Sequence, residues 1–121
     1  MAQFENKYDL ETRTTQFSSK LIVFCKSCPK DMITIPLINQ LIRCGTSIGA
    51  NYREANGASS KKDFQNKIFI CKKEAKETLY WLELIGRVIE AEKLKKDCRD
   101  LWQETKELTL IFSKIANSTK N

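Results

Sequence analysis

The sequence predicts an all-α fold, an up-and-down antiparallel four-helix bundle, and two observations carry this prediction. Only four glycines and two prolines occur among 121 residues, and this scarcity of turn formers favours few, long helices. Apolar residues recur at steps of three and four in four successive segments, without competing strand-like alternation. Because short connections make neighbouring helices antiparallel, we expect one bundle domain over residues 1–121. The expected helices span approximately residues 8–28, 36–56, 60–91 and 95–117.

The first two helices are delimited by proline and glycine. Pro29 restricts the residue before it and ends the first helix. The second is expected to begin at Pro36, whose missing N–H has no helical partner in a first turn, and to end at Asn56–Gly57 with left-handed geometry. The first apolar stripe comprises Leu10, Phe17, Leu21, Phe24 and Cys28. The second comprises Leu37, Ile38, Leu41, Gly45, Ile48, Tyr52 and Ala55.

The third and fourth helices carry the most regular stripes. Ser59 or Ser60 is expected to cap the third helix, with Asp63 in its first turn. Its stripe follows alternating steps of four and three, as in a heptad seam. The members are Phe64, Ile68, Cys71, Ala75, Thr78, Leu82, Ile85 and Ile89. The fourth stripe comprises Leu94, Cys98, Leu101, Thr105, Leu108, Phe112 and Ile115.

Two glycines one turn apart, Gly45 and Gly49, interrupt the second helix. Each costs about 1 kcal/mol of helix stability relative to alanine. Small residues on one face let another backbone approach closely, and that contact can offset the loss. The partner is a helix of the same bundle, a second subunit or a phosphate.

Apolar residues also lie beside the two regular stripes. Ile70, Trp81 and Leu84 flank the seam of the third helix, and Trp102 flanks that of the fourth. One interpretation is a wide core-facing stripe. The other is a second apolar face used for self-association.

The composition provides little for catalysis or metal binding. There is no histidine, and the five cysteines include a Cys25–Cys28 pair that alone is two ligands short of a tetrahedral zinc site. An odd cysteine count without a signal sequence indicates free thiols in the cytoplasm. No apolar run is long enough to span a membrane. We therefore expect a protein without enzymatic activity, cofactor, metal or membrane segment.

The basic residues are better organised than the acidic ones. The net charge is +6, which suggests an anionic partner. Five lysines share a third of the circumference of the third helix with Phe69 and Tyr80, an arrangement that can hold phosphates and stack unpaired bases. A charged face that is merely solvated is the alternative. The lysines are Lys61, Lys62, Lys72, Lys73 and Lys76; Arg43, Arg53, Lys95, Lys96 and Arg99 are candidates to extend the surface.

The segment Gln40–Ile85 carries four motifs: "QLIR", "SI-AN--EA", "S-KDF" and "KEA-ET-YWL". Together they resemble the bacterial four-helix-bundle family of proteins encoded in intervening sequences of 23S rRNA genes. That family is related to the accessory variability determinant of diversity-generating retroelements. The chain departs from many relatives at Ala55, where they have glycine.

The resemblance implies a bundle subunit that assembles into a ring, which is pentameric in relatives, so a homopentamer is expected. The related accessory variability determinant is basic, binds nucleic acid and partners a reverse transcriptase, so nucleic acid and a reverse transcriptase are the partners that the resemblance suggests. The resemblance implies no catalytic residues. Asn51 and Glu54 match the polar motif of the family. We expect them to hydrogen-bond across the end of the second helix and order the turn into the third; direct contact with RNA is the alternative.

The leading hypothesis is a non-enzymatic, cytoplasmic, homo-oligomeric protein that binds RNA or DNA through its basic helical surface, as an accessory factor of an rRNA intervening sequence or a reverse transcriptase. The alternative is an assembly module that docks a partner protein without binding nucleic acid. A regulator of a toxin–antitoxin system or mobile element is a third hypothesis.

Overall fold

A computed structural model describes residues 2–119, and the side chains of residues 10–119. It contains four helices, α1 (Ala2–Ser27), α2 (Thr34–Asn56), α3 (Lys61–Val88) and α4 (Glu92–Ser118). Each helix packs against the next in the chain, and α1 packs against α4. Within the described residues the backbones of the diagonal pairs, α1 with α3 and α2 with α4, do not approach closely, although the rings of Tyr52 in α2 and Phe112 in α4 meet edge to face at 5.7 Å between centroids. The all-α four-helix bundle is therefore confirmed.

The start of α2 differs from the prediction because an upstream side chain caps it. The carboxylate Oδ1 of Asp31 accepts hydrogen bonds from the backbone N–H groups of Ile33, at 3.1 Å, and Thr34, at 2.8 Å. These bonds, chiefly that from Thr34, lower the pKa of Asp31. The helix consequently begins at Thr34, two residues before Pro36.

The connections on either side of α3 also refine the prediction. Gly57 ends α2 at φ −98°, so the expected left-handed conformation is wrong, and its N–H instead donates to the carbonyls of Arg53 and Glu54. Ser60 caps α3 by accepting a 3.0 Å bond from the N–H of Asp63. The backbone becomes extended at Ile89, so α3 ends at Val88 rather than residue 91.

The core contains the centres of all four predicted stripes. Only residues near the helix ends of those stripes are half-buried: Leu37, Ile38, Phe64, Leu94 and Ile115. Among the described residues five threonines are buried, and four of them donate their hydroxyl to the carbonyl four residues earlier, so these hydroxyls enter the core paired. These four are Thr14, Thr78, Thr105 and Thr109.

Gly45 and Gly49 are both buried against α1. A Cβ atom at Gly45 would collide with Cδ2 of Leu21, which is completely buried. One at Gly49 would lie 3.2 Å from Cβ and Oγ1 of Thr14. Of the three partners considered, these glycines thus face a helix of the same bundle.

All five cysteines are buried free thiols. Burial raises the pKa of Cys71 to about 12 and that of Cys98 to about 11. Such thiols are protonated at neutral pH and serve as packing groups. Within the described part of the chain, no group of three or more cysteines and carboxylates is placed to hold a metal ion. No described helix is long and apolar enough to cross a membrane.

The substitution Gly45→Ala should lower the free energy of unfolding by about 1–3 kcal/mol, because overpacking against Leu21 outweighs the gain in helix propensity. Urea denaturation would measure this change. Gly86→Ala is the matched control, since its Cβ would lie 3.5 Å from Sγ of Cys98, an ordinary contact. Equal stabilisation by both substitutions would contradict the close packing of α1 on α2.

Alkaline pH should destabilise the bundle through its buried thiols. Between the ordinary pKa of 9.0 and about 12, the unfolded chain releases the Cys71 proton that the folded protein retains. The free energy of unfolding therefore falls as pH rises, by up to about 1.4 kcal/mol per pH unit for this thiol. Urea denaturation between about pH 9 and 10.5 should show a shallower decline for Cys71→Ala than for the wild type. If the free energy of unfolding fell equally with pH in both proteins, Cys71 would not be a source of the alkaline destabilisation.

Candidate nucleic-acid interface

A groove runs along the outside of the bundle between α3 and α4, and α4 forms one wall. Lys95, Arg99, Trp102 and Lys106 follow one another at steps of four, three and four, which aligns them on one face of the helix. The Nζ of Lys106 lies 5.6 Å from the centroid of the Trp102 ring, within cation–π range. This wall therefore presents three cations around one half-buried indole.

The opposite wall is formed by α3. Lys72, Lys76, Glu83 and Gly86 lie along one face of that helix, at steps of four, seven and three. Glu83 is the acidic member, and Arg87 pairs with it at 3.3 Å. We call the two walls together the α3–α4 groove.

A cavity of about 250 Å³ lies in the groove, between the two walls. The floor of the cavity is apolar. Gly86 contributes no side chain to it, and the thiol of the neighbouring Cys98 is neutral because burial raises its pKa. Charged side chains form its rim. The lining residues are Leu82, Glu83, Gly86, Lys95, Cys98, Arg99 and Trp102.

Ion pairs distinguish this groove from the other three helix contacts. Arg13 of α1 binds Glu104 of α4 through two hydrogen bonds of 2.6 and 2.9 Å. Ion pairs also join α1 to α2 and α2 to α3. Among the described residues, none crosses between α3 and α4. The groove cations therefore keep their charge available.

The structure brings together only some of the ten predicted binding residues. Lys95 and Arg99 line the cavity of the α3–α4 groove, and helical spacing puts Lys72 and Lys76 on the groove face of α3. Three others are exposed on α3, outside the groove: Lys61, Lys62 and Lys73. None of these seven has an acidic partner within salt-bridge distance among the described residues.

Arg43, Arg53 and Lys96 are paired instead, and both arginines lie outside the groove. The Nη2 of Arg43 donates to Glu77 at 2.8 Å, and its Nη1 lies 3.8 Å from the carboxylate of Glu74. Arg53 faces α1, where it donates to the hydroxyl of Thr15 at 3.1 Å. Lys96 pairs with an aspartate one turn later, Asp100, at 2.9 Å. The two arginines therefore do not extend the basic surface.

The predicted packing residues are divided between two sides of α3. Trp102 lines the α3–α4 groove. Trp81 lies on the α2 side, where its indole N–H donates to Glu77 at 3.2 Å, and the helical spacing puts Ile70 on the same side. Leu84 is half-buried near them. Trp102 therefore has surroundings different from those of the other three.

The family polar motif has separate local roles. The amide of Asn51 donates to the carbonyl and hydroxyl of Ser47, at 2.9 and 2.8 Å, so the expected bond across the end of α2 is wrong for this residue. Glu54 does reach α3, because its carboxylate lies 2.7 Å from Nζ of Lys67. Hydrogen bonding to Glu54 raises the pKa of Lys67. Glu54 thus links the end of α2 to the start of α3.

Lys106 is not among the predicted binding residues. Its position four residues after Trp102, and eleven after Lys95, is the sequence signal that would place it on the same face of α4. The spacing alone does not assign Lys106 to the groove, because it does not show that α3 lies beside this face of α4.

Comparison with known proteins assigns the family. The family described as 23S rRNA-intervening sequence protein matches residues 6–114. A crystal structure of a protein with unknown function from the S23 ribosomal protein family, from Bacteroides thetaiotaomicron, is 32% identical. It superimposes with a TM-score of 0.76 and covers 88% of this chain and 96% of that chain. No curated protein matches significantly. The chain therefore belongs to the 23S rRNA-intervening sequence protein family.

Proposed function

We propose that this chain is a non-enzymatic, cytoplasmic, homo-oligomeric protein that binds RNA or DNA through the unpaired cations of α3 and α4. The observation that carries the proposal is a cluster of cations on neighbouring faces of α3 and α4, with no ion pair between these two helices among the described residues. Lys95, Arg99 and Lys106 share one face of α4, and helical spacing puts Lys72 and Lys76 on the face of α3 that carries Glu83 and Gly86. Phosphate groups supply the missing negative charge. Contacts of this kind position a protein on nucleic acid without reading its sequence.

The family name supports RNA as the first ligand to test. It connects relatives of this chain with an rRNA intervening sequence. We propose a role as an accessory factor of such a sequence, or of a reverse transcriptase.

Self-association is supported by apolar side chains that the single subunit leaves uncovered. Phe69 and Tyr80 are 42% and 55% exposed on the outer side of α3. Ile70, Trp81 and Leu84 are half-buried on the flank towards α2. Apolar surfaces of this kind often mark protein interfaces. We propose that they join subunits into a homopentamer.

The same side chains support the alternative function, a module that docks a partner protein such as a reverse transcriptase without binding nucleic acid. In that case the lysines of α3 and α4 serve only to keep the protein soluble. The two functions differ in whether the isolated protein binds RNA.

Binding to a structured RNA should weaken steeply between about 50 and 200 mM salt, because each neutralised phosphate releases counterions. The triple substitution Lys72/Lys73/Lys76→Glu should abolish binding at the lower concentration. Fluorescence anisotropy of a labelled RNA hairpin would measure both effects.

The control is Lys20/Lys26/Arg53→Glu, which changes the net charge by the same amount as the first triple variant. Its substitutions lie on α1 and on the face of α2 that contacts α1. It should retain most of the affinity. Equal losses in both triple variants would indicate general attraction to the net charge. No binding at low salt would leave the docking module as the better proposal.

The substitution Ile70→Glu should reduce the assembled mass, because it places a carboxylate on the proposed subunit contact. Light scattering after size-exclusion chromatography would give the mass of the wild type and the variant, and circular dichroism would check that the bundle is retained. The matched control is Gln103→Glu, since Gln103 is exposed on α4 and the substitution adds the same charge without removing an apolar side chain. A monomeric wild type would contradict the oligomer.

A further inference from the structure

We propose that the cavity in the α3–α4 groove receives one unpaired base of a single-stranded nucleic acid, which stacks on Trp102 while the surrounding cations hold the adjacent phosphates. This inference rests on the proposed function and adds the kind of nucleic acid that the groove selects. It is carried by the size of the cavity, its apolar floor, the accessibility of the indole and the positions of the cations.

The size and lining of the cavity suit a single planar group. Its volume of about 250 Å³ is below the roughly 300–1,000 Å³ of sites that enclose drug-sized ligands. Leu82, Gly86 and Cys98 make the floor apolar, with the Trp102 indole beside them. A nucleobase presents apolar faces to such a floor and its polar edge to the charged rim.

The ring of Trp102 is covered by a side chain that can move away. Trp102 is only half-buried, and the Nζ of Lys106 lies over its ring, 5.6 Å from the centroid. Lys106 is exposed and has no carboxylate partner among the described residues. A base can therefore displace it from the ring while a neighbouring phosphate takes its charge.

Cations lie on both sides of the ring along the groove. Lys95 and Lys106 are eleven residues apart, about 16 Å along the axis of α4, and Trp102 lies between them. Arg99 stands on the cavity rim, and the face of α3 that supplies Glu83 and Gly86 also carries Lys76. A strand that follows the groove meets positive charge before and after the stacked base. This is the combination that single-strand binding surfaces use.

Duplex nucleic acid fits this arrangement less well. Its bases are already stacked and paired, so insertion into the cavity would first require one to be extruded. The same cations would still attract duplex phosphates. The cavity therefore adds a preference for single strands to a general attraction for the backbone.

The test compares Trp102→Leu with Trp81→Leu, which removes the other tryptophan of the chain from the α2 side of α3. The probes are an unstructured 12-nucleotide RNA and the duplex that it forms with its complement, both at about 50 mM salt. Trp102→Leu should weaken single-strand binding about 5- to 150-fold, the range for loss of one stacked base. Duplex binding by Trp102→Leu should change less than about twofold. Both affinities of Trp81→Leu should change as little, and light scattering must show that its assembled mass equals that of the wild type, because Trp81 lies on the proposed subunit contact.

A second measurement keeps Trp102 in place. In the Trp81→Leu protein all tryptophan fluorescence comes from Trp102, and the single strand should quench it in proportion to binding while the duplex should not. This readout decides the question even if Trp102→Leu fails to fold.

Three results would overturn the inference. Equal weakening of single-strand and duplex binding by Trp102→Leu would show that the indole only supports the surface, and the proposed function would stand. A change of assembled mass in that variant would make the cavity a contact between subunits. Failure of the wild type to bind either probe would remove the proposed function as well.

Discussion

The burial of the α3 seam is the constraint on which the rest of the bundle depends. Ile68, Cys71, Ala75 and Ile85 are completely buried, and Leu82 is 1% exposed. α2 lies along one flank of α3 and α4 along the other, and α3 packs against these two helices more extensively than α1 does. A helix held on two flanks cannot rotate about its axis without exposing its seam. The sector opposite the seam, with its lysines and two aromatic side chains, is therefore fixed towards solvent.

The sequence predicts features that follow from the spacing of residues within one helix. It does not predict features that depend on which residues of another helix lie opposite. The stripes are periodic, so the core of each helix follows from its spacing alone. The partner of Gly45 depends on a contact between helices, because nothing near Gly45 in the sequence identifies Leu21. The same holds for Arg43, whose carboxylate partners come from another helix. Trp102 lies in a groove because of how α4 is positioned against α3, which sequence periodicity does not define.

Which charged residues are paired also depends on contacts between helices and not on spacing within one helix. Hydrogen-bonded ion pairs between helices need complementary residues at one level of the bundle, as with Arg13 and its two glutamates. Such pairing raises the pKa of Arg13, mainly through the hydrogen bond to Glu104. Across the described α3–α4 contact, the amide of Gln65 donates instead to the carbonyl of Thr119, and the thiol of Cys98 donates to the carbonyl of Leu82. Packing and neutral bonds thus hold this contact together.

A merely solvated face would be expected to alternate its charges, since like charges one turn apart repel by about 0.2–0.5 kcal/mol. The groove does the opposite: Lys72 lies one turn from Lys76, and Lys95 one turn from Arg99. At the start of α3, Lys61 and Lys62 also oppose the positive end of the helix dipole. Both arrangements cost stability in the free protein: an anion in the groove would relieve the first, and an anion at the start of α3 would relieve the second. A polyphosphate backbone can supply negative charge at several such positions, which is why we propose a nucleic-acid ligand and not a merely solvated face.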